Sequence, residues 1–129
     1  MPGVLEEIML ALDEAKPLFL LGGFGGIVGD VCSCILNDNV PESLTEDWQI
    51  SHNEGYAELQ KIAHTHGRSS DYDAIVRTIR QLEISKIAAR AGLEELEYRK
   101  IMSSPFVDEC VYLVLKGLKN ISLTRQENA

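Results

Sequence analysis

The expected fold follows from the stretch Lys16-Pro17-Leu18-Phe19-Leu20-Leu21-Gly22-Gly23-Phe24-Gly25-Gly26-Ile27-Val28-Gly29-Asp30. Its four apolar residues, Leu18 to Leu21, stand between a proline and a glycine pair, and helical patterns lie on either side. A short apolar run bounded in this way is typical of a strand that is buried on both faces, as the strands of parallel sheets are. The sequence therefore predicts an α/β fold that is mostly helical and contains one clear buried strand.

The predicted strand is followed by a glycine-rich turn, in which Phe24 is flanked by Gly22, Gly23, Gly25 and Gly26. Glycine carries no Cβ and tolerates positive φ, so a ligand can approach the backbone where the next helix presents unpaired N–H groups and the positive end of its dipole. The spacing is neither a P-loop, because no Gly-Lys-Ser/Thr follows, nor a clean G-x-G-x-x-G. Two interpretations remain open: a phosphate cradle, or a tight strand-to-helix turn without a ligand.

Length and charge limit the possible functions. A chain of 129 residues is about one domain. We divide it into a nucleotide-site portion at 1–40, a helical portion at 41–120 and a polar tail at 121–129.

A net charge of -8 argues against a nucleic-acid surface, which needs a basic patch. No apolar run approaches the roughly 18 residues of a membrane span, and the N-terminal region does not resemble a signal peptide. The sequence thus predicts a cytoplasmic protein with no membrane partner.

Cysteine and histidine spacing predicts no metal or cofactor. Cys32 and Cys34 lie two residues apart on a predicted helix and Cys110 is remote, which fits neither a disulfide framework nor a zinc site. We expect all three to be small buried hydrophobic residues. His52, His64 and His66 have no cysteine or acidic ligand at a matching offset, and the last two diverge on a helix.

Helical periodicity recurs along most of the chain. The predicted helices begin at Pro2, Ile27, Glu46, Gly55, Asp71, Ile87, Leu93 and Pro105. Thr45 is the expected N-cap of the short helix that contains Trp48, which we interpret as a packing residue. Ser69 or Ser70 is the expected N-cap of a later helix, with Asp71 and Asp73 in its first turn.

Two stretches, Met1 to Glu7 and Lys16 to Gly26, resemble the C-terminal half of Rossmann-like domains of the SLOG superfamily. The resemblance is closest to the branch associated with Sir2 and TIR effectors in bacterial anti-phage systems. Further similar segments are distributed along the chain, so that the resemblance extends over most of its length: Val40 to Trp48, Tyr72-Asp73-Ala74, Gly92 to Glu95, Ser104 to Glu109 and Lys116 to Leu118. The resemblance implies an incomplete Rossmann-like fold and a sensor that binds NAD-derived nucleotides and switches an attached effector.

A related SLOG family, the Lonely Guy phosphoribohydrolases, offers an enzymatic alternative. Gly3-Val4-Leu5-Glu6-Glu7 resembles the G-T-x-x-E end of that family's P-G-G-x-G-T-x-x-E motif, and Glu7 falls on the catalytic glutamate. However, Val4 replaces the threonine that donates to phosphate, and the catalytic arginine segment has no counterpart. The resemblance therefore implies Gly3 and Glu7 as ligand-binding residues beside Gly22–Gly26, with Glu7 catalytic only if the protein is an enzyme. A structural or interaction module without a ligand is the third hypothesis.

The predicted strand also raises the question of its partners. A lone strand leaves N–H and C=O groups unpaired, each costing about 1–3 kcal/mol when buried. The apolar segments Val4 to Leu12 and Leu18 to Leu21 would expose a large patch in an incomplete Rossmann layer. We therefore expect a homo-oligomer, or a missing N-terminal half that completes the sheet.

Overall fold

The computed structural model describes residues 3–68 and 70–127. Over these ranges the chain forms α-helices joined by short connections, with 3₁₀ turns at Gly22–Phe24 and Glu42–Leu44. The helices are α1 (Gly3–Asp13), α2 (Gly26–Asn37), α3 (Glu46–His52), α4 (Tyr56–Thr65), α5 (Tyr72–Arg80), α6 (Ile84–Arg90), α7 (Glu95–Ser103) and α8 (Val107–Glu127). The last helix continues through 121–127, the described part of the predicted polar tail.

The predicted strand, and with it the α/β Rossmann-like fold, is wrong. The described residues contain no strand, and 18–21 form an irregular connection between α1 and the first 3₁₀ turn. Leu20 is nevertheless fully buried, as the apolar pattern required. A buried apolar run of this length is compatible with any conformation whose polar backbone groups find partners, so the pattern alone does not specify a strand.

The Tyr98 hydroxyl supplies the partners that a neighbouring strand would have provided. It donates to the carbonyl oxygen of Leu18 at 2.6 Å and accepts from the backbone N–H of Leu20 at 3.2 Å. The Cys32 thiol lies 3.8 Å from the carbonyl oxygen of Leu20, within reach of a weak hydrogen bond. These contacts pair the Leu18 carbonyl oxygen and both backbone polar groups of Leu20 within the chain, without a sheet.

The core forms around this connection. Leu5 and Ile8 of α1 are buried, and with Leu20 they join one cluster drawn from nearly every helix. Its other members include Val31, Leu44, Tyr72, Ile79, Ile87, Tyr98, Ile101, Met102 and Leu113. The inner face of α1 and Leu20 are therefore covered within the chain, whereas Val4 and Leu10 of α1 are exposed to 46% and 56%. Oligomerisation itself stays a prediction.

Two of the local predictions are confirmed and one is changed. Thr45 caps α3, its hydroxyl accepting from the N–H of Trp48. Cys32, Cys34 and Cys110 are buried free cysteines, as expected. Asp71 caps α5 by accepting from the N–H of Ala74 at 3.0 Å, and Ser69, one of the two expected caps, lies outside the described residues. Asp is as good an N-cap as Ser, so the pattern could not choose between them.

Glu97 couples α7 to α8. Its carboxylate accepts from the N–H of Glu94 in a capping box and pairs with the Lys116 ammonium group. The Lys116 hydrogen bond is the main reason why the pKa of Glu97 lies below its ordinary value. Asn120 adds a second link by donating to the carbonyl oxygen of Gly92 at 2.8 Å.

A pH-dependent effect of Glu97→Gln follows from this lowered pKa. Glutamine preserves the capping box, so the substitution removes mainly the charged pair. Because the folded pKa is lowered, the stabilisation is full above the unfolded pKa and is lost as the pH falls through the folded pKa. We expect urea unfolding to show a difference in unfolding free energy between wild type and variant at pH 7 that is smaller at about pH 3, below the unfolded pKa of about 4.3. An equal difference at both pH values would contradict this account.

Candidate functional site

The glycine turn, defined as Gly22–Gly26, lies where the 18–21 connection meets the start of α2. Gly22–Phe24 forms the 3₁₀ turn, and Gly26 is the first residue of α2. The predicted strand-to-helix turn is thus a turn between an irregular connection and a helix. The expected position of the glycines, directly before a helix N-terminus, is unchanged.

Gly22 and Gly23 have no room for a side chain, because the backbone of Met102 and Ser104 packs directly against them. A Cβ on Gly22 would meet the Met102 carbonyl oxygen and lie 2.6 Å from Cys32 Sγ. A Cβ on Gly23 would collide with the Ser104 carbonyl group and lie 2.9 Å from the Pro105 nitrogen. Real Cβ atoms do not occupy such positions, so the first half of the turn serves close packing against the end of α7.

Gly25 and Gly26 face open space instead. Their φ angles are 80° and 66°, and no atom lies within 4 Å of a Cβ built on either residue. Gly25 is the N-cap of α2 and makes no side-chain capping bond. The first N–H groups of a helix have no partner inside the helix, so this end of α2 presents uncapped donors behind two exposed glycines. That arrangement can receive an anion.

Two residues of the predicted site, Gly3 and Glu7, lie on α1. Gly3 and Glu7 are exposed, while Leu5 and Ile8 of the same helix face the core. No described residue forms a hydrogen bond or ion pair with the Glu7 carboxylate. The structure therefore brings α1 into the core beside α2 but shows no group that would orient the Glu7 carboxylate.

The connection after α7 adds an aromatic residue that sequence reasoning did not assign to the site. Gly23 abuts Ser104 and Pro105, so Phe24 and Phe106 follow directly on two touching backbone segments. Their exposed fractions are 52% and 68%, which leaves both rings largely in solvent. The sequence around Phe106 contains no signal of this proximity, which arises from the approach of Gly23 to Ser104 and Pro105.

Cys32 lies beside the turn but is not a nucleophile. Burial raises the pKa of its thiol to about 12, so the thiolate is essentially absent at neutral pH. The thiol acts as a small packing group against Gly22 and as a weak donor to Leu20. Within the described ranges, no cluster of three or more His, Cys, Asp or Glu residues could hold a metal ion.

The most open cleft described here lies away from the glycine turn, between α3 and α4. A cleft of about 560 Å³ separates α3 from α4 and is lined by Glu46, Ile50, Ala57, Gln60, Lys61, His64 and Thr65. It is wide open and contains no residue of the glycine turn. We therefore base the candidate site on the uncapped backbone at the start of α2 and not on cleft volume.

Comparison with protein family models shows to which family the chain belongs. A family model described as SLOG cluster2 matches residues 1–101. The chain belongs to this SLOG family. The match includes α1 and the whole glycine turn and ends within α7, so Phe106 and α8 lie outside it.

Comparison with curated proteins and with solved structures gave no match. None of the helices in the described part of the chain is long and apolar enough to cross a membrane.

Proposed function

We propose that this SLOG domain is a nucleotide sensor that binds a phosphate group of its ligand at the glycine turn. The observation that carries the proposal is the uncapped N-terminus of α2 behind Gly25 and Gly26, which are exposed and have positive φ. Recognition by backbone N–H groups and the helix dipole requires no lysine or arginine. The stretch from Gly22 to Asp30 contains neither.

The proposed ligand is an NAD-derived nucleotide such as ADP-ribose. This choice rests on the resemblance to the SLOG branch associated with Sir2 and TIR effectors in bacterial anti-phage systems. Phe24 and Phe106 support it, because two exposed rings beside a phosphate cradle offer apolar surface to an adenine base. Binding without turnover is favoured, since no described residue orients the Glu7 carboxylate and a general base must be positioned to act.

Gly25→Val provides the test of the cradle. A valine side chain at this position projects where the phosphate would approach, and we expect at least a roughly tenfold loss of affinity for ADP-ribose by calorimetry. In thermal-shift assays, wild type at 100 times the Kd should gain about 2.7 kcal/mol, or roughly 10 °C in Tm. At the same concentration, a variant that binds tenfold more weakly should gain only about 1.4 kcal/mol, or roughly half the wild-type shift in Tm.

Gly55→Val is the matched control. Gly55 has φ 78°, stands open to solvent and precedes α4, so valine there imposes positive-φ strain remote from the turn. The control should bind as wild type, and circular dichroism should show both variants folded despite a strain of about 1–3 kcal/mol. Equal binding by folded Gly25→Val and wild type would refute the cradle. Release of free base from nucleoside monophosphates would refute the sensor and indicate a phosphoribohydrolase.

A further inference from the structure

Helix α8 carries a second apolar face that no other described residue covers. Its inner face packs into the protein through Cys110, Leu113 and Gly117. Its outer face presents residues spaced four, four and three positions apart, which places them on one side of a helix. They are Val107, Val111, Leu115 and Leu118, with exposed fractions of 60%, 51%, 61% and 48%. We call these four residues the α8 stripe.

The stripe is continuous with further apolar surface. A shallow cleft of about 490 Å³ along its edge is lined by Tyr112, Leu115, Lys116, Lys119, Asn120 and Leu123. A surface helix of a globular protein normally has one apolar side, facing its core. A contiguous apolar patch on the other side marks an interaction surface.

Charges on α8 are separated along the helix. Asp108 and Glu109 lie in the first turn, and Lys119 and Arg125 lie in the second half. None of these four forms an ion pair with another described residue, whereas Lys116 is already paired with Glu97. The unpaired acids Asp108 and Glu109 therefore lie at the start of the helix, and the unpaired bases Lys119 and Arg125 lie in its second half, which ends at Glu127.

We propose that the α8 stripe pairs antiparallel with the α8 stripe of a second copy of this chain. The middle of the stripe and the midpoint between Asp108 and Lys119 both lie next to Leu113 in the sequence. One twofold axis at that level thus superimposes the two stripes and sets Asp108 against Lys119 of the partner subunit, twice by symmetry. A parallel pair would instead set like charges against each other, which disfavours it.

The experiment measures molar mass by light scattering and the dimer Kd by sedimentation. Wild type should have twice the 14.3 kDa chain mass at tens of micromolar. Leu115→Glu should raise the dimer Kd at least about 100-fold, because it places two charges at the centre of the apolar contact. Leu59→Glu is the control, since Leu59 on α4 is exposed to a similar extent, 64%, and should leave the Kd unchanged.

Charge reversal tests the register. Asp108→Lys alone and Lys119→Asp alone should each weaken the dimer roughly tenfold, and the double variant should recover affinity to within about threefold. Recovery of dimer affinity in the double variant would show that positions 108 and 119 of different copies contact each other. A monomeric wild type, a dimer that tolerates Leu115→Glu, or a double variant no tighter than the single ones would each overturn the proposal. Nucleotide binding at the glycine turn is a separate measurement, because none of these substitutions alters that turn.

Discussion

Gly23→Ala is expected to destabilise the protein by about 3 kcal/mol or more. The new Cβ would meet the Ser104 carbonyl group and the Pro105 nitrogen, which lies 2.9 Å away. These are backbone atoms, so no side-chain rotation relieves the overlap. The connection after α7 must move instead, and Tyr98, Ile101 and Met102 on that helix belong to the core. A single domain has only about 5–15 kcal/mol of stability in total, so the loss is large.

Urea unfolding followed by circular dichroism measures this effect, and Gly3→Ala is the control. Gly3 lies in α1 with no atom within 4 Å of its Cβ position. Alanine there should leave stability unchanged or raise it by up to about 1 kcal/mol, because alanine is the better helix former. If Gly23→Ala unfolds at the same urea concentration as wild type, the glycine turn and the connection after α7 do not approach each other as closely as described.

Tyr98→Phe should cost about 2–4 kcal/mol, although it removes only one oxygen atom. That oxygen donates to Leu18 and accepts from Leu20, and the side chain is fully buried. Without it, a carbonyl oxygen and an N–H group lose their partner in a place with little access to water. Burial also raises the pKa of Tyr98, so the hydroxyl stays protonated and able to donate at all physiological pH values.

Tyr112→Phe controls for the chemistry of the substitution. Tyr112 is exposed to 64%, and loss of its hydroxyl should change stability by less than about 0.5 kcal/mol. Hydrogen exchange offers a second readout, because the amide of Leu20 should lose protection in Tyr98→Phe. Equal stability of the two variants would show that the 18–21 connection does not depend on the tyrosine.

Most of the helices could be predicted from the sequence, because the relevant signals are local. Apolar residues at helical spacing, such as Leu5 and Ile8, point into the core as expected. The Thr45 cap lies three residues from the amide it binds. The burial of all three cysteines likewise follows from their residue type and surroundings.

The candidate site was predictable only in part. Its place before α2 followed from four glycines close together in the chain. Their different roles did not, because Gly22 and Gly23 are constrained by Met102 and Ser104, far along the chain. Phe106 was missed for the same reason, since nothing near it in the sequence indicates a contact with the turn.

The sequence by itself determined where helices form, which faces are apolar and where the backbone carries no side chains. The tertiary structure alone decided that Leu18–Leu21 is not a strand. The physical reason is the origin of its hydrogen bonds. A strand is defined by its partners, and here the partner is a hydroxyl group on Tyr98, 78 residues from Leu20 and 80 from Leu18. An apolar pattern reports that a segment is buried, but only the folded chain determines which groups meet its backbone.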